Sequence, residues 1–169
     1  SIYTDFALWV PFWLRLAKRR RFIGKVMDQN GVIHTVEVLG PPNFSAWKSC
    51  YKIFITAAVM FNFIDLCWLN RYFKKIRKFA TKYPTCWALI YQADVRLRLE
   101  HCHDILDRLE EQHEEDKRRG FRSTFDPKRP WNAVWREMAK GEKEWWDGHI
   151  RDPAMSIATG LRSLCSFID

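Results

Sequence analysis

Between residues 47 and 64 large apolar side chains return every three or four positions: Trp47, Cys50, Tyr51, Phe54, Ala57, Ala58, Phe61 and Ile64. That spacing draws one continuous stripe along an α-helix and none along a strand. A stripe so rich in rings has to be buried against other elements. The same period recurs in the next segment, at Leu69, Tyr72, Phe73, Ile76, Phe79 and Ala80. The chain is therefore expected to be mostly α: a single helical domain of five or six helices, with one β-hairpin near the N-terminus.

Local signals place the boundaries. Asn43 is the expected cap of a helix over 44–62, and Asp65 of one over 66–82. Tyr83-Pro84-Thr85 breaks the chain, and Thr85 is the expected cap of the longest helix, 86–119. The first half of that helix is apolar through Trp87, Ile90, Ala93, Val95 and Leu97. Its second half carries a narrower stripe, Leu99, Cys102, Leu106 and Leu109, running toward His113 between many acids. Residues 120–130 read as a linker. A helix over 131–148 follows, with Gly141 weakening its middle, and Asp152-Pro153 opens a last short helix with proline at its first position. At the other end Asp5 can cap a helix over 6–21, which Pro11 interrupts or delays to about Val10. The hairpin signal is Asp28-Gln29-Asn30-Gly31 between the Val/Ile-rich runs 22–27 and 32–39. Val32, His34, Val36 and Val38 would share one face of it, and Ile33, Thr35 and Glu37 the other. The expected organisation is thus a basic, aromatic N-terminal helix (1–21) and one helical domain (22–169). The latter comprises the hairpin 22–39, helices within 44–119, the linker 120–130 and C-terminal helices within 131–168.

The five cysteines are scattered, odd in number and without close pairs. They read as buried thiols of a reducing compartment, and the expected location is intracellular, nuclear or cytoplasmic. The apolar run 6–14 is too short to span a bilayer, and 53–69 carries Asn62 and Asp65, which a spanning segment disfavours. The run 6–14 also precedes its basic cluster, the reverse of a secretory signal. A first residue that is not Met is expected of a processed product or a fragment.

Motifs for chemistry are missing where they would be needed. His101-Cys102-His103-Asp104 resembles a metal cluster, but neighbours two apart on a helix point to different faces. No complementary Cys/His pair exists elsewhere, so no metal and no cofactor are expected. The seven glycines are isolated, so there is no phosphate loop, and neither Ser49-Cys50 nor Cys165-Ser166 sits in a nucleophile elbow. The chain is read as non-enzymatic, with no small-molecule substrate.

Charge is the remaining signal. Of a net +8, residues 1–83 contribute 14 Lys+Arg against 4 Asp+Glu, and residues 84–169 contribute 14 against 16. A half-chain of +10 attracts polyanions. Its cations form two groups interleaved with rings. One is Arg15, Lys18, Arg19, Arg20, Arg21 and Lys25, beside Trp13 and Phe22. The other is Arg71, Lys74, Lys75, Arg77, Lys78 and Lys82, beside Tyr72 and Tyr83. Such groups can neutralise phosphates while rings stack on bases, so RNA or DNA is the expected partner. The alternatives are self-association through Leu99, Cys102, Leu106 and Leu109, and a membrane surface touched by residues 6–22.

Several segments also carry a family pattern. Gly40-Pro41-Pro42-Asn43-Phe44-Ser45-Ala46-Trp47 opens a helix holding Phe54, Ala57 or Ala58, and Met60. Tyr83, Pro84, Cys86, Trp87, Leu89, Ile90, Ala93, Asp94 and Arg98 follow in order, then Asp126-Pro127, Pro130-Trp131, Trp145 and Asp152-Pro153-Ala154. Over about residues 22–160 this resembles the upstream region of retrotransposon polyproteins of the kind abundant in dinoflagellate genomes. The chain has no polymerase Asp-Asp motif, protease Asp-Ser/Thr-Gly motif or zinc knuckle. The resemblance therefore implies a non-catalytic, gag-like or accessory role in assembly or nucleic-acid packaging.

Overall fold

The structure, a computed structural model, describes residues 21–28 and 30–165, with side chains to residue 159. The expected helix over 6–21 lies outside the described residues except for Arg21, and Arg21 is the first residue of a strand. Strands β1 (Arg21–Met27) and β2 (Ile33–Leu39) pair antiparallel, from Arg21 opposite Leu39 to Met27 opposite Ile33. Asp28 organises the turn: its carboxylate accepts the backbone N–H of Asn30 (2.8 Å) and of Val32 (2.9 Å), and Gly31 takes a φ of 78°. Of the face expected to be apolar, Val36 and Val38 turn toward the helices, while Val32 and His34 reach past them into solvent.

Among the described residues seven helices follow: α1 (Phe44–Met60), α2 (Leu66–Lys82), α3 (Trp87–Arg96), α4 (Cys102–Arg119), α5 (Pro130–Lys140), α6 (Lys143–Trp146) and α7 (Asp152–Cys165). A π-helical turn, Leu97–His101, joins α3 to α4, and a second, Asp147–Arg151, joins α6 to α7, so each pair is one continuous rod. The fold is mostly α with an N-terminal β-hairpin. No helix among the described residues is long and apolar enough to cross a membrane.

Several expected boundaries move. Asn43 does cap α1, accepting the Ala46 N–H at 2.9 Å. Asp65 stands at the start of α2 but makes no cap bond; its carboxylate takes Arg129 (2.7 Å) and Asn132 (2.9 Å) instead. Thr85 likewise does not cap α3. The helix expected over 131–148 breaks at Gly141, where Glu142 adopts a left-handed φ of 58°. Pro153 does stand at the start of a last helix, as its second residue rather than its first, and no gap precedes it. It lies inside the α6–α7 rod just after the π turn, whose wider winding relieves the i−4 bonding that proline cannot provide. Phe61, expected in the α1 stripe, falls beyond the end of α1 and is exposed.

The core is a chain of stacked and edge-on rings. Trp47 lies on Tyr51 at 4.6 Å, Tyr72 meets Trp135 at 4.9 Å, and Phe79 lies on Trp146 at 5.5 Å. Ile76, Ile90, Leu97, Ile105, Val134, Met138 and Ile150 fill the space between them and are fully buried. A smaller cluster of Cys86, Leu89, Ala154 and Ile157 seats α7 beside the hairpin.

A charge sits at the centre. Asp94 is fully buried and accepts from Trp47 Nε1 (3.0 Å), Tyr72 OH (2.7 Å), and Arg98 Nε and guanidinium NH2 (3.0 and 2.8 Å). Three helices thereby meet on one carboxylate. Burial and the Asp94 charge push the Tyr51 and Tyr72 phenols well above their ordinary pKa. Burial opposes the Arg98 charge, but the facing carboxylate outweighs it and holds the guanidinium protonated.

Two glycines permit close packing. A side chain at Gly24 would collide with Ala88, so β1 lies directly on α3. Gly40, at a φ of 146°, lets the chain pass against the Tyr91 ring, and Trp87 Nε1 donates to the Pro41 carbonyl at 2.8 Å beside it.

Candidate nucleic-acid interface

Helix α2 is the source of the site. Leu69, Tyr72 and Ile76 are buried, which turns the opposite face, dense in Lys and Arg, outward. Five of the six cations expected from this segment, Arg71, Lys74, Lys75, Lys78 and Lys82, line one open cleft of about 720 Å³. The far wall comes from Lys140 at the end of α5 and from Asp147 and Arg151 in the second π turn, with Phe79 and Tyr83 at the floor. The break at Gly141 makes this wall, because a straight α5 would carry residues 143–151 away from α2.

Lys75 sits deepest. Its ammonium donates to the carbonyls of Met138 (3.3 Å) and Gly141 (3.0 Å) and lies 5.4 Å from the Trp146 ring. Burial, against the pull of Glu142 and with the push of Arg71, lowers its pKa to about 8. The one carboxylate lining the cleft, Asp147, is engaged with Arg151 at 2.8 Å, and Arg151 also binds Asp152 at 2.9 Å. The hydrogen bond it donates to the Asp152 carboxylate holds the Arg151 pKa above its ordinary value. Lys82 lies 5.2 Å over the Tyr83 ring. The cleft therefore holds seven cations against one paired acid, a field suited to phosphate groups.

The other expected contact residues are placed differently. Arg77 points elsewhere and packs over Phe73 at 5.9 Å. Tyr72 cannot stack on a base, because it is buried with its hydroxyl on Asp94. Arg21 and Lys25 are exposed on the hairpin and do not line the cleft; Arg21 pairs with Glu37 at 3.0 Å. Arg15, Lys18, Arg19 and Arg20 lie outside the described residues. Lys140 and Arg151 were missed by sequence reasoning. They stand more than fifty residues from α2, and nothing in local spacing announces that the chain returns there.

The stripe read as a self-association seam is used mainly within the chain. Cys102 is buried, and Leu106 and Leu109 pack against the core beside α5. Only Leu99 is exposed. Burial lifts the Cys102 thiol to about 11, so it stays protonated at neutral pH. His101 and His103 diverge as their spacing requires: His101 stacks on Trp145 at 4.6 Å, and His103 meets Trp131 edge-on at 5.6 Å. Among the described residues no three His, Cys, Asp or Glu side chains are arranged to hold a metal ion. His101 instead binds Glu142 at 2.6 Å, and Arg108 reaches the same carboxylate at 2.9 Å, so the α5–α6 corner is held from the side opposite Lys75. Comparison with known protein families, with curated proteins and with solved structures finds no match.

Proposed function

We propose that this chain is a non-catalytic, retroelement-derived protein that binds the phosphate backbone of a nucleic acid in the cleft between α2 and the α5–α7 wall. The observation that carries this reading is the convergence of Lys140 and Arg151 on the cations of α2. A solvated helix face needs no second wall of like charge, and like charges held together cost stability unless an anion sits among them. The retroelement origin rests on the sequence resemblance. The residues that carry that resemblance have an architectural use here: Trp47, Asp94 and Arg98 form the buried charge node, and Gly40, Pro41 and Trp87 seat the hairpin. They support a shared scaffold and leave the binding chemistry to the cations.

The test is titration of labelled single- and double-stranded oligonucleotides at two salt concentrations. Affinity should fall steeply with salt, with a log–log slope near −0.7 to −0.9 per phosphate neutralised. Lys74→Glu with Lys78→Glu should weaken binding and flatten that slope by about two phosphate contacts. Lack of binding at low salt, or affinity indifferent to salt, would refute the reading.

A further inference from the structure

The corner between α1 and α2 exposes an unusual run of apolar groups. Met60 is 78% exposed, Phe61 67%, Phe63 47% and Leu66 48%. Single exposed apolar residues are ordinary, but a contiguous group marks an interaction surface. Nor is the corner loose. Ile64 is anchored in the core, and Asn62 takes a left-handed φ of 54° that reverses the chain. From behind, Arg129 donates to the Asn62 carbonyl at 2.9 Å and to Asp65 at 2.7 Å, while Asn132 bonds both the Asp65 carboxylate and its backbone N–H at 2.9 Å. With 62 and 65 fixed, the rings of Phe61 and Phe63 stack on each other at 5.7 Å and face outward.

We infer that this corner is a membrane-docking tip, which inserts Met60, Phe61, Phe63 and Leu66 into the surface of an anionic bilayer. The argument for lipid is the charge around the tip. Trp68, half-buried one turn along α2, lies between two cations, with Lys140 at 4.5 Å and Arg71 at 5.9 Å from its ring. Lys128 and Arg129 stand on the other flank, and the nearby acids are Asp65, already bound by Arg129, and Asp126. Apolar groups at the tip, an amphipathic ring at its edge and cations behind match the order of acyl chains, interface and acidic headgroups. A second copy fits less well. Two-fold pairing of the tips would bring their Arg71 and Lys140 flanks together, and acidic α4 offers only Leu99 and Phe121 nearby as exposed large apolar groups. This inference goes beyond the nucleic-acid reading: the flanking cations Arg71 and Lys140 also line the cleft, but the inserting groups Met60, Phe61, Phe63 and Leu66 do not.

Cys67, exposed on the first turn of α2, gives a probe site, since Cys50, Cys86 and Cys102 are buried. In the 169-residue chain carrying Cys165→Ser, a polarity-sensitive dye on Cys67 should shift to the blue with phosphatidylcholine vesicles containing phosphatidylserine. It should shift far less with phosphatidylcholine alone. Phe61→Ser with Phe63→Ser should weaken co-sedimentation with the acidic vesicles at least about tenfold. The same variant should keep the circular dichroism and oligonucleotide affinity of the wild type, and Phe61→Trp with Phe63→Trp should keep vesicle binding. Undiminished vesicle binding by the serine variant would overturn the proposal. So would lack of binding by the wild type, or a dimer in sedimentation that the serine substitutions dissolve.

Discussion

Replacing Asp94 by Asn is the sharpest test of what holds the helices together. The side chain keeps its size, but one carboxylate oxygen becomes an NH2 that faces donors. In the folded chain those oxygens receive Trp47 Nε1, Tyr72 OH and two nitrogens of Arg98, at 2.7–3.0 Å, with no exposure to water. The substitution leaves the buried Arg98 charge with its facing carboxylate gone, a change that typically costs about 3–5 kcal/mol. A domain of this size has only about 5–15 kcal/mol in total, and each kcal/mol moves Tm by about 2–4 °C. Asp94→Asn should therefore lower Tm by about 6–20 °C in a calorimetric or dichroism melt. Removing both charges in Asp94→Leu with Arg98→Met should recover part of that loss, because no ion then has to be desolvated. A single variant melting within about 2 °C of the wild type would refute the claim that this carboxylate joins the three helices. A double variant far less stable than the single one would refute the assignment of the cost to the buried charge.

Other expectations follow from the cleft and the close contacts. Because the Lys75 pKa is lowered to about 8, its charge is lost as pH rises through that value while free lysine is still protonated. Oligonucleotide affinity should fall across that range, and Lys75→Met should remove the inflection. Over the same range folding stability gains, because the unfolded chain binds a proton that the folded one has shed. Burial raises the Glu142 pKa, but its bonds from His101 and Arg108 outweigh that and hold it below the ordinary 4.5. Its stabilisation is therefore present above the usual carboxyl range and lost as pH falls below it. Glu142→Gln should lower Tm at pH 7, and the difference should vanish in acid. Gly40→Ala combines a disfavoured φ with a collision against Tyr91 and should cost about 2–4 kcal/mol in urea unfolding. Gly24→Ala, where only the collision with Ala88 applies, should cost about 1–3 kcal/mol.

The helical stripes were legible in the sequence because each is a local property. The inner face of α2 follows from spacing alone, and the Asn43 cap from residue type and position. What could not be read depends on residues distant in the chain. Asp65 looks like a cap until Arg129 and Asn132, more than sixty residues away, claim its carboxylate. Arg71, Lys74, Lys75, Lys78 and Lys82 could be seen as a basic face, whereas the opposite wall depends on the break at Gly141, whose effect on direction is tertiary. Asp94 and Arg98 left one overlooked trace, an acid and a base four apart inside an apolar run, the spacing at which helix neighbours meet. The seam expected at Leu99, Cys102, Leu106 and Leu109 was a real stripe, but spacing cannot say whether a stripe is covered by its own chain or by another.

The π turn between α3 and α4 sets how this chain can tolerate changes of length. Inward positions before it include Ile90, Asp94 and Leu97, and those after it include Cys102 and Ile105. An unbroken α-helix continuing from Leu97 would instead bring His101 and Asp104 to the core, since each residue turns the helix by about 100°. The wide turn absorbs one surplus residue and returns the apolar side of α4 to the interior. Deleting exposed Glu100 would close the bulge into ordinary helix with the same side chains inward. Deleting a residue one or two turns later, within α4, would rotate everything beyond it and bring acids against α5. The permissive spot for a gap in this helix is thus next to a buried ion pair, where a reader of the linear text would place it last.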